Sequence, residues 1–300
     1  MKLVIALRET EKRILYFFIE GICVLRFVME VDSLNVEIFF CVVLLLWFMF
    51  PTTVKASASV MLQGAMACET DKMISSLKNP KEEKTGSWRF ISGDYQGVPL
   101  IVAVTHAGVS YAAAATAIGI EHFNPAAVIN QGTGGGHAPS MHTFDLVIGA
   151  DSFDASAWIS KIEKNDADWR HIRFYAVKDD YYLTDGYRIS ADANLLMVAK
   201  DMSKDYHKGN TAVGTISTSN NWNRQQERIL FLNREYGSLC EDMETHAVAQ
   251  ICRSYGVPFI GLRVLSNTEL HDEKFNPEAG HACQEFALSV AKAYYEKFLK

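Results

Sequence analysis

The sequence predicts an α/β fold, and the alternation of two kinds of segment along the chain indicates it. From Val60 onward, short apolar runs of strand length alternate with longer stretches of helical character. This alternation is typical of domains in which helices cover a largely parallel or mixed sheet. No internal repeat, low-complexity tract or Pro/Gly linker divides this region. We therefore predict a single folded domain over residues 59–300.

The expected elements follow one another along this domain. Each expected strand is a short apolar run, and these runs are Val60–Gly64, Pro99–Val104, Ala127–Asn130, Leu146–Ala150, Ala212–Ser217, Ser238–Cys240 and Pro258–Val264. Helices are expected at Glu69–Leu77, Ser110–Glu121, Ala193–Asp201, Asn223–Asn233, Met243–Tyr255 and Gly280–Phe298. In open α/β sheets, ligands bind outside the carboxyl ends of the strands. Residues that follow the expected strands are therefore the first candidates for a site.

A separate segment precedes the domain. Ile38–Phe50 contains no charged residue and has the length of a signal-peptide core, shorter than the roughly 20 residues that a spanning helix needs. Small residues typical of a cleavage site follow at Lys55–Ala58. We expect residues 1–58 to be a signal peptide, with Met29 as an alternative start, and the protein to be secreted or periplasmic. An uncleaved membrane anchor and a buried core element are the alternatives, and membrane contact is expected only through this leader.

Charge and cysteine content exclude several classes of partner. The formal net charge is −6 and the pI is near 5.9, without a Lys/Arg block, which argues against a nucleic-acid partner. Cys23 and Cys41 fall in the leader, and the other four of the six cysteines are scattered. None forms a C-x-x-C pair or a Cys/His cluster with zinc spacing. We expect buried thiols and no metal.

Glycine-containing segments follow several expected strands. They are Gly64–Met66, Thr105–Gly108 and Gln131–Gly136. Backbone without side chains lets a ligand approach closely, so we expect these segments to form the rim of a pocket. The run Gly132–Gly136 alone is weak evidence, because it has neither a Gly-Lys-Ser/Thr ending nor dinucleotide spacing. A structural turn is an equally good interpretation of that run.

Polar residues occupy three of these strand ends. Glu69 and Glu244 each lie where a strand gives way to a helix, and the strand near Val264 leads to Ser266 and Asn267. We expect the three strand ends to converge on one ligand. Taken alone, both acids also fit helix N-termini, where the helix dipole favours negative charge.

Four strings along the domain carry a family resemblance. They are GAMACE (Gly64–Glu69), INQGTGGGHAP (Ile129–Pro139), EDMETHAVAQIC (Glu241–Cys252) and VPFIGLRVLSN (Val257–Asn267). In this order and spacing they resemble the motifs of the 5′-methylthioadenosine/S-adenosylhomocysteine nucleosidases, within the purine nucleoside phosphorylase/uridine phosphorylase superfamily. The resemblance implies a three-layer α/β/α fold with a central twisted mixed sheet. It also implies hydrolysis of the N-glycosidic bond of a purine nucleoside without a cofactor, by a homodimer.

The resemblance assigns roles at the sugar. Glu69 matches the carboxylate that activates the attacking water, and Thr105 and Arg263 match positions that support that water. A carboxylate at Glu69 also repels phosphate, which favours hydrolysis over phosphorolysis. Glu244 matches the acceptor of the ribose 2′- and 3′-hydroxyls, and Met243 matches a residue against the sugar face.

Further positions match the family around the base. Trp222 matches an aromatic residue that packs on the purine, while Gly108 and Ser266 belong to the substrate-binding segments. Tyr181 and Tyr182 are further candidates for the pocket wall.

Two positions depart from the family pattern. Asn267 stands where the family has an aspartate that donates a proton toward N7 of adenine, and an amide cannot deliver that proton. Three explanations remain open: a shift toward 6-oxopurine nucleosides, as in a purine nucleoside phosphorylase; a slower adenine hydrolase; or a non-catalytic nucleoside-binding or storage protein. His106 replaces a glycine, and we expect it to pack on the rim or contact the ligand. His246 is expected to lie behind the site.

Overall fold

The structure is a computed structural model that describes residues 2–6, 12–19, 22–30, 58–160, 168–178, 181–183 and 187–300. The chain divides into two compact units, Met1–Ala56 and Ser57–Lys300. In the first unit, strands β1 (Lys2–Ala6), β2 (Lys12–Ile19) and β3 (Ile22–Glu30) form an antiparallel sheet in that order.

The predicted signal-peptide core Ile38–Phe50 lies outside the described residues, as does the cleavage site up to Ser57. No helix in the described ranges is long and apolar enough to span a membrane.

The second unit contains the predicted domain. Its strands are β4 (Val60–Gly64), β5 (Lys78–Thr85), β6 (Trp88–Tyr95), β7 (Val98–Val104), β8 (Ala127–Gly136), β9 (Leu146–Asp154), β10 (Trp158–Ser160), β11 (Ile172–Phe174), β12 (Ala176–Lys178), β13 (Tyr181–Leu183), β14 (Ile189–Ser190), β15 (Thr211–Thr218), β16 (Ser238–Asp242) and β17 (Phe259–Asn267). Its helices are α1 (Asp71–Ser75), α2 (Val109–Phe123), α3 (Ala193–Met202), α4 (Gln226–Tyr236), α5 (Thr245–Tyr255) and α6 (Glu278–Phe298). Short 3₁₀ turns cover Ala67–Glu69 and Ser203–Asp205.

The central sheet is mixed and closes on itself in its middle. Its strands run in the order β14-β9-β15-β16-β8-β4-β7-β6-β5, while β17 pairs in parallel with β8 and antiparallel with β9. Because β8 also pairs with β16 and β9 also pairs with β15, the strands β8, β16, β15, β9 and β17 form a ring. The mixed α/β prediction is confirmed, and the ring is a feature that the sequence did not reveal.

Helices cover both faces of the sheet. Alternate residues of β4 point to opposite faces, so Val60 and Leu62 pack with α3 and α6, whereas Met61 packs with α2 and α5. Each face therefore has its own apolar core, as a three-layer α/β/α arrangement requires.

Several elements differ from their predicted bounds. The expected helix Glu69–Leu77 is a 3₁₀ turn followed by the short helix α1. The run Gly132–Gly136 is the second half of β8 and not a turn. The hairpin β5–β6 was not expected, because every residue of β5 is exposed and the strand has no apolar run. The expected helix at Met243 begins at Thr245, which leaves Glu244 at its N-cap.

Candidate active site

The predicted strand ends meet at one cavity of about 320 Å³. Six of the predicted site residues line it, namely Glu69, Trp222, Met243, Glu244, Ser266 and Asn267. The expectation that the ends of β4, β16 and β17 converge is therefore confirmed. Another cavity, of about 380 Å³, lies at the start of β17 beside Arg188 and Arg253 and contains none of the predicted residues. The chemistry-bearing residues identify the first cavity as the candidate site.

Glu69 is held by four hydrogen bonds at the end of β4. Its Oε2 accepts from the backbone N–H groups of Ala65 at 2.9 Å and Met66 at 3.2 Å. Its Oε1 accepts from the backbone N–H of Thr133 at 2.7 Å and from the Thr133 hydroxyl at 2.8 Å. The side chain is only 4% exposed. Since every partner is a donor, the arrangement suits an ionised carboxylate with a fixed orientation.

The close approach of Glu69 to β8 requires a glycine at position 132. A Cβ at Gly132 would lie 2.7 Å from Oε1 of Glu69, closer than real contacts allow. Glycine within a strand marks such a close approach. Thr133, whose hydroxyl binds Glu69, was not predicted, although it is the only residue in Gly132–Gly136 with a polar side chain.

Glu244 lies at the junction of β16 and α5. Its Oε1 accepts from the backbone N–H of Gly108 at 2.9 Å, and its Oε2 lies 3.7 Å from Nη2 of Arg263. The side chain is 8% exposed. Burial raises the pKa of Glu244 to about 8, the negative charge of Asp242 adds to the rise, and Arg263 opposes it.

Arg263 lies behind Glu244 and does not line the cavity. It is 1% exposed, and its Nη2 contacts Oδ2 of Asp242 at 2.5 Å and donates to Oδ1 of Asn130 at 2.6 Å. Its Nη1 donates to the backbone carbonyl of Leu262 at 2.8 Å. The guanidinium therefore compensates the buried acids Asp242 and Glu244. Asp242 was not singled out from the sequence, because its partner comes from a distant strand.

We call the part of the cavity that is lined by Trp222, Glu241, Asn267 and Phe275 its aromatic end. Trp222 is 58% exposed, and its ring meets that of Phe275 edge to face at 6.3 Å between centroids. Asn267 is buried, and its Oδ1 accepts from the Ser266 hydroxyl at 2.9 Å. Phe275 was not predicted, because it follows none of the expected strands. Glu241 was not predicted either, although it directly follows the expected strand Ser238–Cys240 and begins the string Glu241–Cys252.

Two predicted residues contact the cavity wall from behind. Gly108 binds Glu244 through its backbone N–H and has a φ of 114°, which favours glycine. Thr105 is buried, and its hydroxyl donates to the carbonyls of Gly64 at 3.3 Å or His106 at 3.1 Å. Neither of these Thr105 contacts is with Glu69.

The histidines lie outside the cavity wall. His106 has a φ of 63°, in the region that favours the glycine of the family pattern, and its Nε2 lies 3.0 Å from the carbonyl of Ser87. His246 is buried with Nδ1 3.1 Å from the Ser152 hydroxyl, and desolvation lowers its pKa to about 4. Tyr181 and Tyr182 lie in β13, and their side chains are outside the described part of the structure.

Most of the described thiols are buried, as expected. Cys68, Cys240, Cys252 and Cys283 are free, and the last three are buried. Among the residues that the structure describes, no group of three or more His, Cys, Asp or Glu side chains is arranged to hold a metal ion.

Comparison with known proteins identifies the family. A family model described as "Phosphorylase superfamily" matches residues 59–300. The chain belongs to the phosphorylase superfamily. Among curated members of this superfamily, the 5′-methylthioadenosine/S-adenosylhomocysteine nucleosidase of Bacillus velezensis is 27% identical over 237 residues, which cover 76% of this chain and 96% of that protein. The nucleosidase of Bacillus subtilis is 26% identical over 237 residues with the same coverage.

Solved structures of the superfamily share the fold. The nucleosidase of Neisseria meningitidis in complex with methylthio-immucillin-A aligns with a TM-score of 0.66 and 22% identity, covering 78% of this chain and 98% of that one. Futalosine hydrolase of Helicobacter pylori aligns with a TM-score of 0.67 and 20% identity, covering 79% and 98%.

Proposed function

We propose that this member of the phosphorylase superfamily is an N-glycosyl hydrolase that cleaves purine nucleosides, such as 5′-methylthioadenosine or S-adenosylhomocysteine, into free base and sugar. The observation that carries the proposal is that Glu69 and Glu244 line one cavity of nucleoside size. The two curated relatives described above are named 5′-methylthioadenosine/S-adenosylhomocysteine nucleosidases.

Glu69 acts on water in this proposal. Its two oxygens are aimed by the turn Ala65–Met66 on one side and by Thr133 on the other. Rotation of the Thr133 hydroxyl frees one lone pair of Oε1 for a water molecule. As the C1′–N9 bond breaks, that water attacks C1′ and Glu69 takes its proton. The same fixed negative charge repels a phosphate anion, so water is the preferred nucleophile.

Glu244 binds the sugar. Its carboxyl group lines the same cavity as Glu69 and accepts hydrogen bonds from the ribose hydroxyls. The positive charge that develops on the sugar favours the ionised form of Glu244, although burial raises its pKa in the free protein. Arg263, which is itself held by Asp242, lies 3.7 Å from Oε2 of Glu244 and holds that carboxyl group in place from behind. The interaction of ionised Glu244 with the sugar is stronger in the transition state than in the ground state, as catalysis requires.

Trp222 and Phe275 bind the purine. Both rings line the cavity at the aromatic end, where a stacked base would cover their exposed surface. Asn267 at this end carries an amide and therefore cannot hand a proton to the base.

The test is release of free base from 5′-methylthioadenosine, S-adenosylhomocysteine, adenosine and inosine, with and without phosphate. We expect base and free sugar to appear without phosphate. Turnover that requires phosphate would identify a purine nucleoside phosphorylase instead. Tight binding of the nucleoside without base release would identify a binding or storage protein.

We also propose that residues 1–58 direct the chain to export or to a membrane and that the domain forms a homodimer. Support for export is the uncharged run Ile38–Phe50 followed by small residues, and support for the dimer is the family resemblance. N-terminal sequencing of the protein from the culture medium and from membranes tests the first proposal. Sedimentation of the purified domain tests the second.

A further inference from the structure

Two buried glutamine side chains hold the backbone on both sides of Glu69. Nε2 of Gln284 on α6 donates to the carbonyl of Cys68 at 2.8 Å. Nε2 of Gln131 on β8 donates to the carbonyl of Glu69 at 2.6 Å. These two carbonyls belong to the peptide units before and after the Cα atom of Glu69, and both glutamines are at most 1% exposed. The fold therefore fixes both peptide planes beside Glu69 from two separate elements.

Gln284 uses both ends of its amide on one short segment. Its Oε1 accepts from the backbone N–H of Met73 at 2.9 Å, in the first turn of α1, where N–H groups have no acceptor within the helix. Its Nε2 also donates to Oδ1 of Asp71 at 2.8 Å. One buried side chain thus connects α6 to Cys68, Asp71 and Met73. Because a buried polar group is costly to leave unpaired, these bonds favour a single arrangement of the segment.

Helix α6 also lies directly against the backbone that carries Glu69. A Cβ at Gly280 would lie 2.4 Å from the carbonyl oxygen of Cys68, closer than atoms can approach. The same Cβ would lie 3.4 Å from Cγ of Glu69. The beginning of α6 is therefore in contact with both the backbone and the side-chain stem at this point.

We propose that Gln131 and Gln284 are positioning residues, which set the orientation in which Glu69 activates water. Neither of them lines the cavity, so neither touches the substrate. Contacts of the carboxylate with Thr133 and the Ala65 N–H aim its oxygens, whereas the two glutamines fix the backbone from which the side chain extends. This inference rests on the proposed hydrolysis and on the role of Glu69 in it.

Loss of one of these amides should slow the chemical step and leave binding nearly unchanged. A peptide unit that is no longer held can turn, which moves the carboxylate relative to the water and C1′. A displacement of about 1 Å in a reacting group can cost about 100-fold in rate. Glu244 and Trp222, which bind the nucleoside in the proposed reaction, belong to other segments of the chain. A fall in kcat at constant KM is the result that distinguishes positioning of Glu69 from loss of substrate binding.

The experiment replaces each glutamine by methionine, which keeps the length of the side chain and removes its amide. We measure kcat and KM of the full chain in phosphate-free buffer, with the nucleoside that the unchanged protein cleaves fastest. In Gln284→Met and in Gln131→Met we expect kcat to fall by about 10- to 100-fold. KM should change by less than about threefold. Thermal unfolding shows whether each variant is folded at the assay temperature.

A double variant separates positioning of Glu69 from a general loss of structure. In Glu69→Gln, the side chain takes no proton from water, so its orientation no longer determines the rate. Adding Gln284→Met to Glu69→Gln should therefore lower the remaining kcat by less than about threefold. A change that only destabilises the domain would lower kcat by the same factor with either residue at position 69.

Two controls match the chemical change and the loss of stability. Gln250→Met on the exposed surface of α5 removes an amide outside the cavity and should leave kcat within about twofold. Val290→Ala removes buried volume from the core face of α6 and should also leave kcat within about twofold, although it lowers stability.

An unchanged kcat in folded Gln284→Met and Gln131→Met would overturn the inference. An equal loss in the Glu69→Gln background would overturn it too. If the methionine variants do not fold, Gln284→Asn decides, because it keeps the amide but withdraws it by one methylene group. We expect a lower kcat at constant KM in that variant, and an unchanged kcat would contradict the proposal. Absence of base release by the unchanged protein would instead refute the proposed hydrolysis, so the two failures are distinguishable.

Discussion

The two ends of the cavity are built in different ways. At the acidic end, Glu69 and Glu244 are buried and receive their hydrogen bonds from the protein before any ligand is present. At the aromatic end, Trp222 and Phe275 present exposed rings that touch mainly each other. Folding therefore fixes the orientation of the reacting groups before a ligand binds. The apolar surface at the aromatic end, in contrast, is covered only when the base binds to it. Substitutions at the acidic end should therefore lower kcat, and those at the aromatic end should raise KM.

The largest effect is expected for Glu69→Gln. The amide nitrogen of the new side chain would face backbone N–H groups of Ala65 or Thr133, and it could not accept a proton from water. We expect kcat for base release to fall by about 10²- to 10⁴-fold with little change in KM. Glu296→Gln serves as the control for an exposed Glu-to-Gln change. A loss below tenfold would place the general base elsewhere.

The next effect concerns pH and Glu244. Its pKa in the free protein is raised to about 8, so the group is protonated at lower pH and ionised above it. We expect kcat/KM to rise as pH increases toward 8, because the ribose hydroxyls bind best to the ionised form. In Glu244→Gln, this rise should be absent and kcat/KM should be lower by about tenfold or more. An unchanged pH profile in the variant would contradict the assignment.

Stability provides a second measurement on the same group. A carboxyl group whose pKa is raised on folding binds more protons in the folded chain than in the unfolded chain between its ordinary pKa of 4.5 and about 8. The free energy of unfolding should therefore fall as pH rises through this window. Urea unfolding of the domain at several pH values should show this slope, and Glu244→Gln should reduce it.

A moderate effect is expected for Trp222→Ala at the aromatic end. Loss of one stacking ring should raise KM by about 5- to 100-fold, since base stacking contributes about 1–3 kcal/mol. The value of kcat should change by less than about threefold. Trp158→Ala is a matched control, because Trp158 on β10 is also exposed, at 47% against 58% for Trp222, but does not line the cavity. A large fall in kcat with constant KM would remove the distinction between the two ends.

The smallest effect is expected for His106→Gly. Glycine adopts the left-handed backbone at this position without strain, while the contact of Nε2 with the Ser87 carbonyl is lost. These effects oppose each other, so we expect the free energy of unfolding to change by less than about 1 kcal/mol. Base release should be unchanged. A tenfold loss of activity would show that His106 takes part in the reaction.

The sequence predicted the parts of the site that follow from strand ends. Val60–Gly64 matches β4 at both ends, and Glu69 and Glu244 lie beside the cavity as the motifs indicated. Strand ends are predictable because an apolar run and the polar residue after it are neighbours in the chain.

Other parts depend on contacts between distant segments. Asp242 gains its importance from Arg263 on another strand, and Glu241 and Asn267 come together only because both flank Gly135. The glycines of β8 looked like a turn, because their role as bare backbone beside Glu69 appears only once the strands are assembled. No local pattern encodes such pairings.

The ring of strands affects how readily individual strands of the sheet open to solvent. β17 is bonded on both sides, to β8 and β9, whereas β5 pairs only with β6 and is exposed along its length. Amide protons of β17 should therefore be among the last to exchange with deuterated solvent, and those of β5 among the first. Since β17 ends at Asn267, a strand that should exchange slowly also carries a residue of the cavity wall.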